Sequence, residues 1–391
     1  MEEEGYVKFY TRNYTSQKIY FNNINFYLKK VPYYYGNYLY IPVEILMISK
    51  SEPIGLLNLG GVCYMNALLQ CFYYCYPMTK YFLELDNNKK ANLKLVSKAY
   101  YDFVQGLKSG DQSAAKNFKN ALILTDKSFV GAGGKDSKDL ALFIICELNE
   151  ELKNNEPTKM CRMKEKDKYN ILTVYEEKMK SDKTENKTII NKTFDFYVIL
   201  EQKCINKKCE NIFSNTYYSI QNENILIFEL ENISKERNIK SNKISLDDCL
   251  SHYIRKKTIN CPFCNTKSLE IKKNICSLPK IFIFIMSRGK YCKFECVIDI
   301  KKEIVIEMGK YYTPAAEKYK IKRAEYDLIC CTFVYDWIKG YDHAGHTVAF
   351  CKIDKEGSYY IFNDSRSFPS SLKDLDGKVP YILFYERRDE K

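Results

Sequence analysis

The chain has 391 residues, enough for two or three compact units or one large domain with insertions, and at 46% hydrophobic it can bury a sizeable core. Its net charge of +12 comes from lysines scattered among asparagine, isoleucine and tyrosine, not from a focused basic patch, so no nucleic-acid partner is expected. No secretory pattern opens the sequence, and its longest apolar run, Ile281 to Met286, is far shorter than the about 20 residues a membrane span needs, so no membrane partner is expected either.

In chain order, residues 1 to 50 come first and are rich in Tyr, Asn and Lys. Their segment YLKKVPYYYGNYLYIPVEILMI reads as short strands broken by Pro32, Gly36 and Pro42, and no chemistry attaches to this N-terminal extension. From Gly60 the pattern turns helical, with apolar residues at Met65, Leu68, Leu69, Phe72 and Tyr73, so Cys63 falls at or just before a first helical turn. A second helix is legible in KDLALFIICELNEEL, with Leu140, Phe143, Ile144, Leu148 and Leu152 on one face, behind the loop GAGGKDS. The stretch from about Lys153 to Lys192 is dominated by Lys, Glu and Asn and is expected to be an insertion or mobile connection. Beyond it the texture is β-like: FDFYVILEQ, NILIFELE, PKIFIFIMS, YDLICCTFVYDW, HTVAFCKI, SYYIFND and VPYILFYERR. Helices followed by strands predict an α+β fold, and no internal repeat is visible.

Sixteen cysteines without a secretory signal read as thiols, metal ligands or catalytic groups of an intracellular protein, cytoplasmic or nuclear, and not as a disulfide framework. The N-x-T sequons at Asn186 and Asn191 are accordingly expected to be unused. Cys63 stands out by position. A thiol at a helix N-terminus meets the positive end of the dipole and the free N–H groups of the first turn, which favour thiolate. Gly60 and Gly61 let the preceding backbone turn tightly and a substrate chain come close. Asn58, in the same loop, offers an amide N–H₂ that suits an oxyanion formed beside the sulfur. Position alone favours an ordinary buried cysteine.

The motif changes that balance. GLLNLGGVCYMNALLQC, Gly55 to Cys71, resembles the Cys box of the ubiquitin-specific proteases, G-L-x-N-L-G-N-T-C-Y-M-N-S-x-L-Q, with Gly61, Val62 and Ala67 replacing Asn, Thr and Ser. Cys63 matches the family's nucleophile and Asn58 its oxyanion-stabilising position. Of the three histidines, His252 is expected to be a partly exposed helix residue and His343 a loop residue. His346 lies in GYDHAGHTVAFCKIDKEGSYYIFNDSRSF, which resembles the family's His box and implies that His346 is the catalytic base.

HTVAFCKI and SYYIFND, joined at DKEG, read as an antiparallel hairpin. An even loop puts His346 and Asn363 on one face, whereas an odd loop or a bulge brings Asp364 there instead. The resemblance implies Asn363 as the third triad member and Asp364 as a supporting or alternative one. Further likenesses run in order through KDSKDLALFIICELNEEL, SLPKIFIFIMSRG, AEYDLICCTFVYDW and VPYILFYERR, so the resemblance spans about Ile54 to Arg388.

Two cysteine pairs complete the picture: Cys204 with Cys209, and Cys261 with Cys264. A C-x-x-C turn supplies half of a tetrahedral zinc site, and two such pairs mark the fingers of many ubiquitin-specific proteases. Here the first pair has four intervening residues; unmetallated thiols, or other ligands such as Cys249 or Cys276, are the alternatives. The resemblance implies a papain-like cysteine protease with a helical thumb (51–193), zinc-ribbon-like fingers (194–278) and a β-rich palm (279–388). It further implies a monomeric deubiquitinase cleaving the (iso)peptide bond after the C-terminal glycine of ubiquitin in ubiquitinated proteins. Zinc would be structural, with no cofactor for catalysis. The alternative is a catalytically weak or silent ubiquitin-binding scaffold, which retention of Cys63 and His346 argues against.

Overall fold

A computed structural model describes residues 53–131, 136–153, 165–184, 187–239, 243–289, 294, 296–307, 323–334, 345–354 and 356–388, and the backbone of four short strands nearer the N-terminus. These strands form two antiparallel pairs, β1 (Tyr20–Phe21) with β2 (Ile24–Asn25) and β3 (Tyr33–Tyr35) with β4 (Tyr38–Tyr40). The chain divides into two units, Met1–Pro53 and Ile54–Lys391, and the candidate site residues belong to the second. Among the described residues no helix is long and apolar enough to cross a membrane.

The second unit opens with helices: α1 (Cys63–Tyr73), α2 (Tyr76–Leu83), α3 (Asn87–Ala91), α4 (Leu95–Lys108), α5 (Ala115–Thr125), α6 (Ser137–Glu151), α7 (Ile171–Thr184) and α8 (Ile189–Phe194). α1 buries every residue from Tyr64 to Phe72, because other helices cover one side of it and a large sheet covers the other. Phe72 wedges edge-on between Phe194 (6.0 Å) and Phe384 (5.4 Å), a contact whose truncation to alanine costs about 3–5 kcal/mol.

The stretch expected to be an insertion or mobile connection is in part regular. α7 and most of α8 lie within it, and Val174, Tyr175 and Ile190 are buried. The Thr188 side chain caps α8 by accepting from the Asn191 N–H (3.1 Å), and its hydroxyl contacts Asn149 Oδ1 (2.6 Å). A few buried apolar positions, with a capping box at the start of α8, are enough to hold these helices.

The remainder is mainly strand: β5 (Phe196–Cys204), β6 (Tyr217–Glu223), β7 (Leu226–Glu229), α9 (Leu230–Glu236), β8 (Lys243–Ser245), α10 (Leu246–Ile254), β9 (Lys257–Asn260), β10 (Lys267–Ile275) and β11 (Ile281–Ser287). Then follow β12 (Val297–Asp299), β13 (Glu303–Glu307), β14 (Arg323–Val334), β15 (Thr347–Lys352), β16 (Tyr359–Asn363), β17 (Arg366–Ser370) and β18 (Val379–Arg387). NILIFELE, read as one strand, leaves the sheet at Glu229 and turns into α9, whose Leu230 and Ile233 are buried. His252 is likewise buried and not partly exposed, with its Nε2 2.5 Å from Glu236 Oε2.

A four-stranded antiparallel sheet has the order β6-β5-β10-β9, and an eight-stranded sheet runs β17-β16-β15-β14-β18-β11-β7, with β13 beside β14. The larger sheet separates two cores. Along β11, Ile281, Ile283 and Ile285 face the helices, while Phe282, Phe284 and Met286 face the opposite core. With both faces covered, these strands are apolar throughout instead of alternating with polar residues.

Candidate active site and metal centre

Cys63 is the first residue of α1 and is partly exposed. α3, α6, α8 and α10 have side-chain caps, whereas Val62 gives α1 none, so the first-turn N–H groups of α1 remain available beside the sulfur. The preceding loop is organised by Asn58, whose Oδ1 accepts from the N–H of Gly60 (3.1 Å) and of Val62 (3.2 Å). Gly61 has φ +63°, a left-handed conformation that glycine and asparagine both tolerate. Tyr64, next to Cys63, has its phenol pushed up to about 12 by burial and then by the neighbouring sulfur.

Where α1 meets the sheet it packs on β15 and β16. Their register pairs Ala349 with Phe362 and Lys352 with Tyr359, which closes an even loop, residues 353–358. His346 and Asn363 consequently share a face, and His346 Nε2 lies 2.6 Å from Asn363 Oδ1. An amide oxygen only accepts, so in this contact Nε2 is the donor and Nδ1 is the ring's acceptor. Asp364 Oδ2 is farther, 3.8 Å from Nε2. His343 lies outside the described residues.

Asp364 begins the two-residue turn between β16 and β17, at φ +49°, as short hairpins require. Its carbonyl accepts from Leu56 N–H (2.7 Å), and its carboxylate accepts from Asn58 Nδ2 (2.9 Å) and Asn66 Nδ2 (2.9 Å). The turn approaches so closely that a Cβ on Gly55 would sit 2.1 Å from the Asp364 carbonyl oxygen. Asn58 thus gives one amide hydrogen to Asp364 and keeps one for another acceptor. Asn66 is legible only as a motif match; the clue to its role is a polar residue which, with Gln70, interrupts an otherwise apolar helix.

The four cysteines Cys204, Cys209, Cys261 and Cys264 meet at one end of the four-stranded sheet, with all sulfurs within 4.8 Å of one another. Cys204 ends β5, Cys209 lies in the turn after it, and Cys261 and Cys264 lie between β9 and β10. Two sulfur pairs are 3.9 and 3.8 Å apart, matching the about 3.8 Å edge of a tetrahedron with zinc–sulfur bonds of about 2.3 Å. Ser268 Oγ lies 3.1 Å from the Cys204 sulfur, and Thr266 Oγ1 lies 3.1 Å from that of Cys264. The Ser268 and Thr266 contacts draw the Cys264 thiol well down, while burial and its neighbours push Cys209 up. The longer first pair closes through a turn in which Cys209 N–H donates to the Asn206 carbonyl (2.9 Å). Cys249 and Cys276 lie elsewhere in the core and are not members of the group.

Residues 54–385 match the family description "Ubiquitin carboxyl-terminal hydrolase". Ubiquitin carboxyl-terminal hydrolase 4 of Saccharomyces cerevisiae is 22% identical over 379 residues, spanning 85% of this chain and 39% of that protein. Ubiquitin carboxyl-terminal hydrolase 21 of Rattus norvegicus is 22% identical over 377 residues, spanning 88% and 63%. The chain thus spans less than two thirds of either relative. Among solved structures, the SAGA DUB module Ubp8/Sgf11/Sus1/Sgf73 bound to monoubiquitin aligns with a TM-score of 0.63 at 19% identity, over 86% of this chain and 70% of that one. The same module bound to ubiquitin aldehyde aligns at 0.61. These likenesses establish the α+β, papain-like fold.

Proposed function

Since the chain belongs to the ubiquitin carboxyl-terminal hydrolase family, whose members are cysteine-type deubiquitinases, we propose that it hydrolyses the (iso)peptide bond after the C-terminal glycine of ubiquitin. The observation that carries this reading is the 2.6 Å contact of His346 with Asn363 on strands packed against the helix that Cys63 begins.

In the proposed reaction His346 Nδ1 takes the Cys63 proton, and the thiolate attacks the glycine carbonyl. The free amide hydrogen of Asn58 and the uncapped N–H groups of α1 stabilise the tetrahedral oxyanion. His346 protonates the departing lysine amine, then activates a water that hydrolyses the thioester, while Asn363 holds the ring in the required tautomer. In this proposal Asp364 anchors Asn58 and Asn363 is the third triad member, an assignment supported by Asp364 being the more distant from His346.

The four cysteines are proposed to hold a structural zinc that staples the end of the fingers, and ubiquitinated proteins are the proposed partners of a monomer acting in the cytoplasm or nucleus. Zinc would supply a tetrahedral cross-link between two turns and no step of the reaction.

The test is reaction with ubiquitin carrying a C-terminal electrophile. A covalent adduct is expected with the wild type and none with Cys63→Ala. Binding without an adduct in the wild type would overturn the proposal in favour of a silent scaffold.

A further inference from the structure

We propose that Asn66 is a positioning residue for this reaction, acting through Asp364 on the oxyanion-stabilising amide of Asn58. The inference rests on the deubiquitinase reading and extends it to a buried residue that never meets the substrate.

Asn66 lies one turn after Cys63 on α1 and is 2% exposed, an unusual place for a carboxamide. Its Nδ2 faces three acceptors: Asp364 Oδ1 at 2.9 Å, the Leu57 carbonyl at 3.2 Å and the Leu56 carbonyl at 3.3 Å. Flipping the amide would turn its oxygen toward a carboxylate and two carbonyls, so the orientation is fixed by chemistry. Its Oδ1 is buried with no described partner, a cost that a group kept only for packing would not carry.

Asn58 is fixed by the same logic. Its Oδ1 is held by two backbone N–H groups, which leaves Nδ2 to face Asp364 Oδ2 at 2.9 Å. The carboxylate of Asp364 is therefore gripped from both sides, one oxygen by the nucleophile's helix and the other by the oxyanion loop. Bonds from amides to a carboxylate are charge-assisted and stronger than the accompanying bonds to carbonyls. A residue needed only to staple α1 to 56–57 would require the carbonyls alone. The carboxylate contact adds a defined rotation of Asp364, and through it a defined direction for the remaining Asn58 hydrogen. Small angular errors at such a donor are expensive, because removing one oxyanion donor outright costs about 10²–10³ in kcat.

The experiment measures hydrolysis of ubiquitin bearing a fluorogenic C-terminal amide by the full chain, for wild type, Asn66→Ala, Asp364→Ala and the double variant. Asn66→Ala is expected to lower kcat about 10-fold with KM within about twofold, a fraction of the loss for deleting an oxyanion donor. The double variant should be no slower than Asp364→Ala, because the two residues act through one path. In Asn66→Ala, which leaves the Asp364 carboxylate beside His346 in place, the pH profile of Cys63 alkylation by iodoacetamide, which reads the thiol–imidazole pair, should not move. Multiplicative losses in the double variant, an unchanged kcat, or a shifted alkylation profile would each overturn the proposal. If Asn66→Ala does not fold, Asn66→Ser enters the same cycle under the same criteria. A wild type that leaves the substrate intact would refute the functional reading itself, whereas an active wild type with an additive cycle refutes only this inference.

Discussion

Two groups of sulfur atoms in this molecule look alike by distance and differ in everything around them. At the end of the four-stranded sheet, Cys204, Cys209, Cys261 and Cys264 converge, and in the core Cys71, Cys330 and Cys351 do the same, each set with sulfurs within 4.8 Å. The first group comes from two chain turns and is bordered by Ser268, Thr266 and Asn211 side chains that hydrogen-bond to sulfur. The second lies between α1, β14 and β15, with all three residues fully buried. There burial pushes Cys330 and Cys351 well above the ordinary thiol value. It acts upward on Cys71 as well, but the S–H groups of its two partners draw that thiol down. A divalent ion would need three thiolates in the fully buried core, where among the described residues no side chain but theirs hydrogen-bonds to the sulfurs. Proximity of cysteines is thus a poor guide to metal binding unless their surroundings stabilise thiolate.

The largest expected break in the comparison comes from the sheet end. Replacing Cys261 and Cys264 together with serine should remove about one equivalent of zinc per chain and melt the turns at 204–214 and 261–268, since structural zinc supplies about 10–16 kcal/mol in small peptides. Metal analysis and amide hydrogen exchange check this, and retained zinc or unchanged protection would refute it. A smaller effect is expected in the core. Cys330→Ser should destabilise by about 1–3 kcal/mol, because a buried hydroxyl demands a partner that a thiol does not. Calorimetry should show melting lowered by several degrees with the zinc content unchanged.

The contrast also marks what the sequence makes legible. Cys63, His346 and Asn363 could be read because a dense motif and an even-loop hairpin place them, and the register of β15 on β16 brings Asn363 nearer to His346 than Asp364. The four sheet-end cysteines carry a recognisable spacing, although the wide first pair hides the turn that closes it. The core trio carries none. It depends on a bulge in β14, where Leu328 pairs with Tyr385 and Cys330 with Phe384, so that Ile329 and Cys330 both face the helices. No local pattern encodes that extra residue. α7 and α8 are hidden because Val174, Tyr175, Ile190 and Phe194 are too sparse to make a stripe, and the burial of His252 is hidden because its polar ring reads as exposed although it is covered beside Leu246, Cys249 and Leu250 on α10 and meets Glu236.

The smallest and sharpest separation is kinetic access. Under native conditions a small alkylating reagent should modify the partly exposed Cys63 and the exposed Cys146 first, and leave Cys71, Cys330 and Cys351 unmodified over the same period. The sheet-end cysteines should change class with their ligand: protected as purified, and modified once a strong chelator has been added, with Cys264 leading because it is the least buried of the four. The core trio should ignore the chelator, since its protection comes from packing, and should react only on global unfolding. Mass spectrometry of the digested chain reads all of these sites in one experiment. If the chelator exposed Cys71, Cys330 or Cys351 without unfolding the chain, the core trio would be a metal site after all, and the distinction drawn from surroundings alone would fail.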